Sequence, residues 1–234
     1  MRRVAVIGDT HGCIETTKKL IEQLPSDAEV CFVGDLIDRG PGSKDLIDLV
    51  IKNNYHCVLG NHEDMLLESL YIEDGILRDY VREMRDWVSN GGDKFLLNYG
   101  ITYNWVMDID ISQELKDHFK FIKKLPIVKE FKDVVDSNGR HLVVSHSSVD
   151  TMYGKEDDPR YKNTVIWNRY MSINDIPGVY NVFGHTPVIK PIIKGHYANI
   201  DTGAVYSKKD GGGVLTALLF PDMIIYTQER IDEV

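Results

Sequence analysis

Residues 33–40 read Val33-Gly34-Asp35-Leu36-Ile37-Asp38-Arg39-Gly40, directly after the apolar run Val30-Cys31-Phe32. A strand-like run that ends in two acids and an arginine needs a reason. Gly and Asp alone make an ordinary turn, so the stretch gains meaning only if it recurs. Val4-Ala5-Val6-Ile7 runs into GDTHG at 8–12, and His56-Cys57-Val58-Leu59 runs into GNHED at 60–64. Gly8, Gly34 and Gly60 fall at equal spacing. Between the runs, Ile14, Thr17, Leu20, Ile21 and Leu24 stop before Pro25, and Leu46, Leu49 and Val50 follow the same helical period. Strand, polar loop, helix, repeated, implies parallel strands with right-handed helical crossovers. Ligands gather outside the carboxyl ends of such strands, so the three loops are expected to open on one edge.

The stretch 62–125 is mostly helical in pattern, broken near Asn90-Gly91-Gly92. Strand character returns at Ile127-Val128 and 141–144, then at 180–183, 198–200, 214–220 and 223–227, the last four spaced like antiparallel neighbours. Residues 150–178, with DDPRYKN and an IPG turn, read as a long surface excursion. No linker composition divides the chain. The expected fold is α/β, a layered sandwich of mixed sheets in one domain over 1–234, with its site at the carboxyl ends of the strands.

Composition narrows the function. A formal net charge of −9 and a pI near 5.3 argue against sequence-independent nucleic-acid binding, which needs a basic face. Local anion binding stays open, because bound metal ions reverse the field at a site. Cys13, Cys31 and Cys57 form neither a CxxC pair nor a disulfide framework, which fits a reducing, cytoplasmic setting. The apolar run after MRR is too short for a signal peptide, and no stretch has the length of a membrane span.

Five loops at strand ends carry metal-ligand chemistry: Asp9 and His11, Asp35, Asn61 and His62, His146, and His185. A lone His or a Gly-Asp pair is ordinarily structural. Five at the expected edge are hard to obtain from turn chemistry. Carboxylate, imidazole and amide oxygen together suit two divalent cations, manganese foremost, with iron or zinc as alternatives. Two such ions bind one hydroxide between them, lower the pKa of that water toward about 7, and clamp attacking and leaving oxygens.

The ordered set GDTHG, GDLIDRG, GNHE, SHSS, FGHTP and IDTGAVY resembles the PPP-type phosphatases of the calcineurin-like metallophosphoesterase superfamily. WVSNGGDKFLLNYG and Leu125-Pro126 are most similar to the compact bacterial and phage serine/threonine protein phosphatases. The resemblance implies that Asp9, His11 and Asp35 hold one metal. Asp35 would bridge to a second, held also by Asn61, His146 and His185. It makes His62 the general acid, Asp38 its orienter, and Arg39 and Arg169 the phosphate grips. Other readings stand beside these: Arg39 as an ion-pair partner of Asp38, Asn61 as a helix cap, Arg169 as a surface residue. Ser147 and Ser148 replace the small residues often found after the histidine, and Ser207-Lys208-Lys209-Asp210 lengthens a hairpin. Cys13 is expected to be a buried small residue. His56, His118, His141 and His196 carry no motif, and Trp87 is expected to anchor a helix.

The resemblance leads to a phosphomonoesterase for phosphoserine and phosphothreonine in proteins or peptides. A hydrolase of dinucleoside polyphosphates is the alternative, because relatives use the same motifs. A phosphodiesterase or nuclease fits less well, since two arginines on a terminal phosphate favour monoesters. A non-catalytic metal scaffold has no use for His62.

Overall fold

Every residue of β1 (Val4–Ile7) is buried, so this strand needs partners on both edges and cover on both faces. The computed structural model describes residues 2–73, 76–79, 81–102, 109–170 and 172–234. After β1 come α1 (Ile14–Ile21), β2 (Glu29–Phe32), α2 (Ser43–Lys52), β3 (His56–Cys57) and α3 (Asn61–Ser69). β4 (Leu70–Glu73), β5 (Ile76–Asp79), α4 (Val81–Trp87), α5 (Asp93–Asn98), β6 (Ile109–Asp110) and α6 (Gln113–Ile122) form the middle. The last part is β7 (Val128–Val135), β8 (His141–Ser145), α7 (Tyr161–Trp167), β9 (Val179–Phe183), β10 (Ile192–Ile193), β11 (Tyr197–Asn199), β12 (Val214–Phe220) and β13 (Ile224–Glu229).

β1, β2 and β3 pair in parallel, as their strand–loop–helix pattern requires. β12 adds antiparallel to the other edge of β1 and carries β13, giving the order β13-β12-β1-β2-β3. A second sheet has the order β10-β11-β9-β8-β7. Alternation along the strands sets the layers. Val4 and Val6 of β1 pack with Leu142 and Val144 of β8 between the two sheets. Ile7 faces the other way, in a cluster with Leu20, Ile47, Phe95 and Leu115 of the helices. Val143 of β8 likewise faces outward, toward Tyr161 and Val165 of α7. The expected layered sandwich of mixed sheets is thus present, with helices on both outer faces. Each of these fully buried aliphatic side chains contributes about 1.5–3 kcal/mol.

Three expectations are refined. The stretch 62–125 is mostly helical, and β4, β5 and β6 add a small antiparallel sheet within it. The excursion 150–178 is not wholly superficial, because Met152, Tyr161 and Val165 are buried in the outer core of the second sheet, and Ile166 is buried too. Among the last strands, β12 and β13 are antiparallel, but β11 lies parallel to β9, and the short β10 supplies its antiparallel neighbour. Part of the middle stretch, residues 103–108, lies outside the described residues. Among the described residues, no helix is long and apolar enough to cross a membrane.

Candidate metal centre

The carboxyl ends of β1, β2, β3, β8, β9 and β11 deliver, in turn, Asp9 and His11, Asp35, Asn61 and His62, His146, His185, and Asp201. All of these side chains are buried. The backbone that places them is strained. His11, Asp35, Asp38, Arg39 and His185 have φ between 42° and 70°, five of the eight non-glycine residues with positive φ among the described residues. Such conformations cost about 1–3 kcal/mol each and persist where surrounding structure over-determines them. Gly34 shows how tight the packing is: a Cβ there would stand 2.6 Å from the Gly60 nitrogen.

The tautomers show what the cluster is built to bind. His146 Nδ1 lies 2.8 Å from the Val33 carbonyl oxygen, so Nδ1 carries the proton and donates. Nε2 is then a lone pair, and it stands 2.8 Å from Asn61 Oδ1, another acceptor. Burial lowers the pKa of His146, so a second ring proton is disfavoured. His11 repeats the pattern. Its Nδ1 donates to the Ile37 carbonyl at 3.0 Å, and its Nε2 faces Asp35 Oδ2 at 3.4 Å. Histidines that donate one nitrogen to a backbone carbonyl and aim the other lone pair at an oxygen ligand are arranged as metal ligands are. His185 Nδ1 joins them, 2.8 Å from Asn61 Oδ1 and 3.1 Å from His146 Nε2.

Charge leads to the same reading. Burial, with Asp201 and Asp35 alongside, raises Asp9 well above the usual carboxylate range. Burial pushes Asp201 up to about 7. Burial also opposes charge on Asp35, but His146, His62 and His11 outweigh it and hold this carboxyl low. Three buried acids in one pocket call for cations. Two sets of donors lie within 4.8 Å of one another: Asp9, Asp35 and His146, and His11, Asp35 and His62. Asp35 belongs to both, while the sets divide otherwise than the sequence implies, Asp9 falling with His146 and His11 with His62. The residues present therefore fit a pair of divalent ions sharing one carboxylate.

His62 is held differently from the other imidazoles. Its Nδ1 lies 2.6 Å from Asp38 Oδ2, and Trp87 Nε1–H donates to the same oxygen at 2.7 Å. Burial disfavours charge on His62, but Asp35 and Asp38 outweigh it and raise its pKa. Trp87 is thus more than a helix anchor. It is fully buried and reaches the dyad.

The mouth of the pocket is lined by Arg39, Arg169, Pro187 and Tyr206. Arg39 is not an ion-pair partner of Asp38. Its Nη1 donates to His11 Nε2 at 2.6 Å, and its guanidinium lies over the Tyr206 ring at 5.4 Å. Arg169 is exposed and follows α7. The serines after His146 tie that helix down. Ser147 Oγ donates to the Val165 carbonyl at 2.7 Å, and Asn168 Nδ2 donates to Ser147 Oγ and the Ser148 carbonyl. Lys162 on α7 also pairs with the buried Asp64 of α3.

Two groups escape sequence reasoning. Glu63, in the quoted GNHE, accepts from the backbone N–H of Asp35, Leu36, Ile37 and Gly60 at 2.7–3.3 Å, and so shapes the turn that carries Asp35. Asp201, in the quoted IDTG, joins the pocket beside Asp9. Both stood inside motifs, which was the available signal. The other expectations resolve simply. Asn61 is the first residue of α3 and Gly60 its cap, so the amide is free for the histidines. Cys13 is buried, which pushes its thiol up to about 12. His118 is structural, between Tyr99 and Asp48. The insertion at 207–210 is a surface turn, with Lys208 paired to Glu229.

Comparison with known proteins agrees with this geometry. Residues 2–189 match the family described as calcineurin-like phosphoesterase. Serine/threonine-protein phosphatase 1 of Salmonella typhimurium is 29% identical over 224 residues, covering 92% of this chain and 90% of its own. The asymmetrical bis(5'-nucleosyl)-tetraphosphatase PrpE of Oceanobacillus iheyensis is 26% identical over 255 residues, covering 94% and 89%. A serine/threonine phosphatase structure from Saccharomyces cerevisiae superposes on 100% of this chain and 81% of its own with a TM-score of 0.61 at 16% identity, a likeness of fold. With ligand sets converging on a shared carboxylate at the strand ends, the chain belongs to the calcineurin-like phosphoesterase family and is a dinuclear metallophosphoesterase.

Proposed function

We propose that the protein removes phosphate from phosphoserine and phosphothreonine in protein or peptide substrates. The observation that carries the metal chemistry is the meeting of two acceptors, His146 Nε2 and Asn61 Oδ1, at 2.8 Å in a buried pocket. Asp9, His11 and Asp35 would hold one ion, and Asp35, Asn61, His146 and His185 the other. When bound, the ions supply a water acidic enough to attack at neutral pH and positive charge for the phosphate oxygens. Manganese is the first choice for both places, since borderline divalent ions accept this mixture of oxygen and nitrogen donors.

The chain's own residues do the rest. Arg39 and Arg169 present planar forks to the phosphate. Asp38 fixes His62 through Nδ1, so Nε2 is the atom that hands a proton to the departing serine or threonine oxygen. The raised pKa of His62 keeps that proton available. The three unpaired, buried thiols support the cytoplasmic setting.

A second reading, hydrolysis of dinucleoside polyphosphates at the same site, is supported by the tetraphosphatase relative, which matches this chain about as fully as the protein phosphatase does. One experiment separates them: turnover of a phosphothreonine peptide and of a dinucleoside tetraphosphate, side by side with Mn²⁺. Efficient peptide turnover supports the first reading. A thousandfold advantage for the nucleotide overturns it.

A further inference from the structure

A second hollow opens beside the metal pocket, and Arg169 and Pro187 line both. Its volume is about 230 Å³. That lies below the roughly 300–1,000 Å³ of clefts that enclose a drug-sized molecule, and suits a single side chain. Tyr170, Ile173, Phe183 and Ile192 supply apolar walls. The floor is firm, because Phe183 stacks on Tyr197 with ring centres 5.9 Å apart at 27°.

Two amides in this hollow are held by hydrogen bonds within the chain. Asn168 Nδ2 donates to Ser147, Ser148 and Thr164, and its Oδ1 accepts from the Tyr170 N–H. Asn199 Nδ2 donates to the Thr186 carbonyl, and its Oδ1 accepts from the Asp201 N–H. An apolar side chain fits these walls without needing a hydrogen bond from them.

Resting on the phosphopeptide reading above, we infer that this hollow is a specificity subsite. It takes a large apolar side chain, aliphatic or aromatic, one or two positions from the phosphorylated residue. Successive Cα atoms are about 3.8 Å apart, so a flanking residue reaches a hollow that shares a wall with the phosphate site.

The test uses the full chain with Mn²⁺ and phosphothreonine peptides that differ only in having Leu, Phe, Ala or Asp at the flanking positions. In the wild type, Leu or Phe at one of them should lower KM about tenfold or more relative to Ala. Ile173→Asp should erase that difference, and Ile192→Ala should reduce it if the first variant folds poorly. Both should leave turnover of p-nitrophenyl phosphate unchanged, which reports an intact metal site. Equal KM values for all peptides, or a preference that survives both variants, would overturn the subsite while the phosphatase reading stands. If only the dinucleoside tetraphosphate and p-nitrophenyl phosphate turn over, the phosphopeptide reading itself fails, and the subsite with it.

Discussion

Trp87 donates its indole N–H to Asp38 Oδ2 at 2.7 Å, and that oxygen is also the partner of His62 Nδ1 at 2.6 Å. The acid–imidazole pair is thus pinned from a helix remote in sequence. Trp87→Phe keeps most of the ring volume and removes the donor. It should lower kcat about tenfold and shift the alkaline limb of the pH–rate profile, where His62 loses its proton, with far-ultraviolet circular dichroism unchanged. The loss should be smaller than the roughly 10²–10⁴-fold that follows removal of a general acid. A wild-type profile in Trp87→Phe would reduce Trp87 to a packing residue.

His62 lies within reach of both His11 and Asp35, so its role needs separating from that of a ligand. His62→Asn should lower kcat by about 10²–10⁴ while the protein still carries two ions. Metal analysis of the purified variant decides the point. Loss of an ion together with activity would make His62 a ligand.

Glu63 gathers four backbone N–H groups around one carboxylate. A glutamine of the same shape turns an NH₂ toward donors that need an acceptor, a mismatch that costs about 1–3 kcal/mol in a buried place. Glu63→Gln should therefore lower the melting temperature and weaken metal affinity about 10–100-fold through the Asp35 turn. Calorimetric titration with Mn²⁺ measures the second effect. Unaltered affinity would confine Glu63 to helix capping.

Arg169 stands exposed at the mouth of the pocket. Arg169→Ala should lower kcat/KM by roughly 10–100-fold, the scale of one charge-assisted interaction. Arg169→Lys should recover only part, because an ammonium lacks the planar fork. Steady-state kinetics on a phosphothreonine peptide read both, and an unchanged kcat/KM for Arg169→Ala would leave it a surface residue.

The sequence displayed what local periodicity encodes. β1, β2 and β3 announce themselves as apolar runs before polar loops, and the histidines and acids at their ends follow from topology. Long-range pairing left no such trace. The parallel placement of β11 beside β9 depends on a crossover that strand spacing does not report. The β4–β6 sheet is built from short runs next to a helix, with no Gly or Pro between Ser69 and Leu70 to mark the change. Trp87 acts through a partner 49 positions away and Glu63 through three partners 26–28 positions away, so these roles emerged only once the chain was folded.

Crystals of the protein grown with Mn²⁺ and measured at an anomalous wavelength test the central claim most directly. Two peaks a few Å apart should appear, one against Asp9 and His11, the other against Asn61, His146 and His185, with Asp35 between them. Asp35→Asn should lose at least one. A single peak, none, or two peaks away from Asp35 would contradict a paired-metal site.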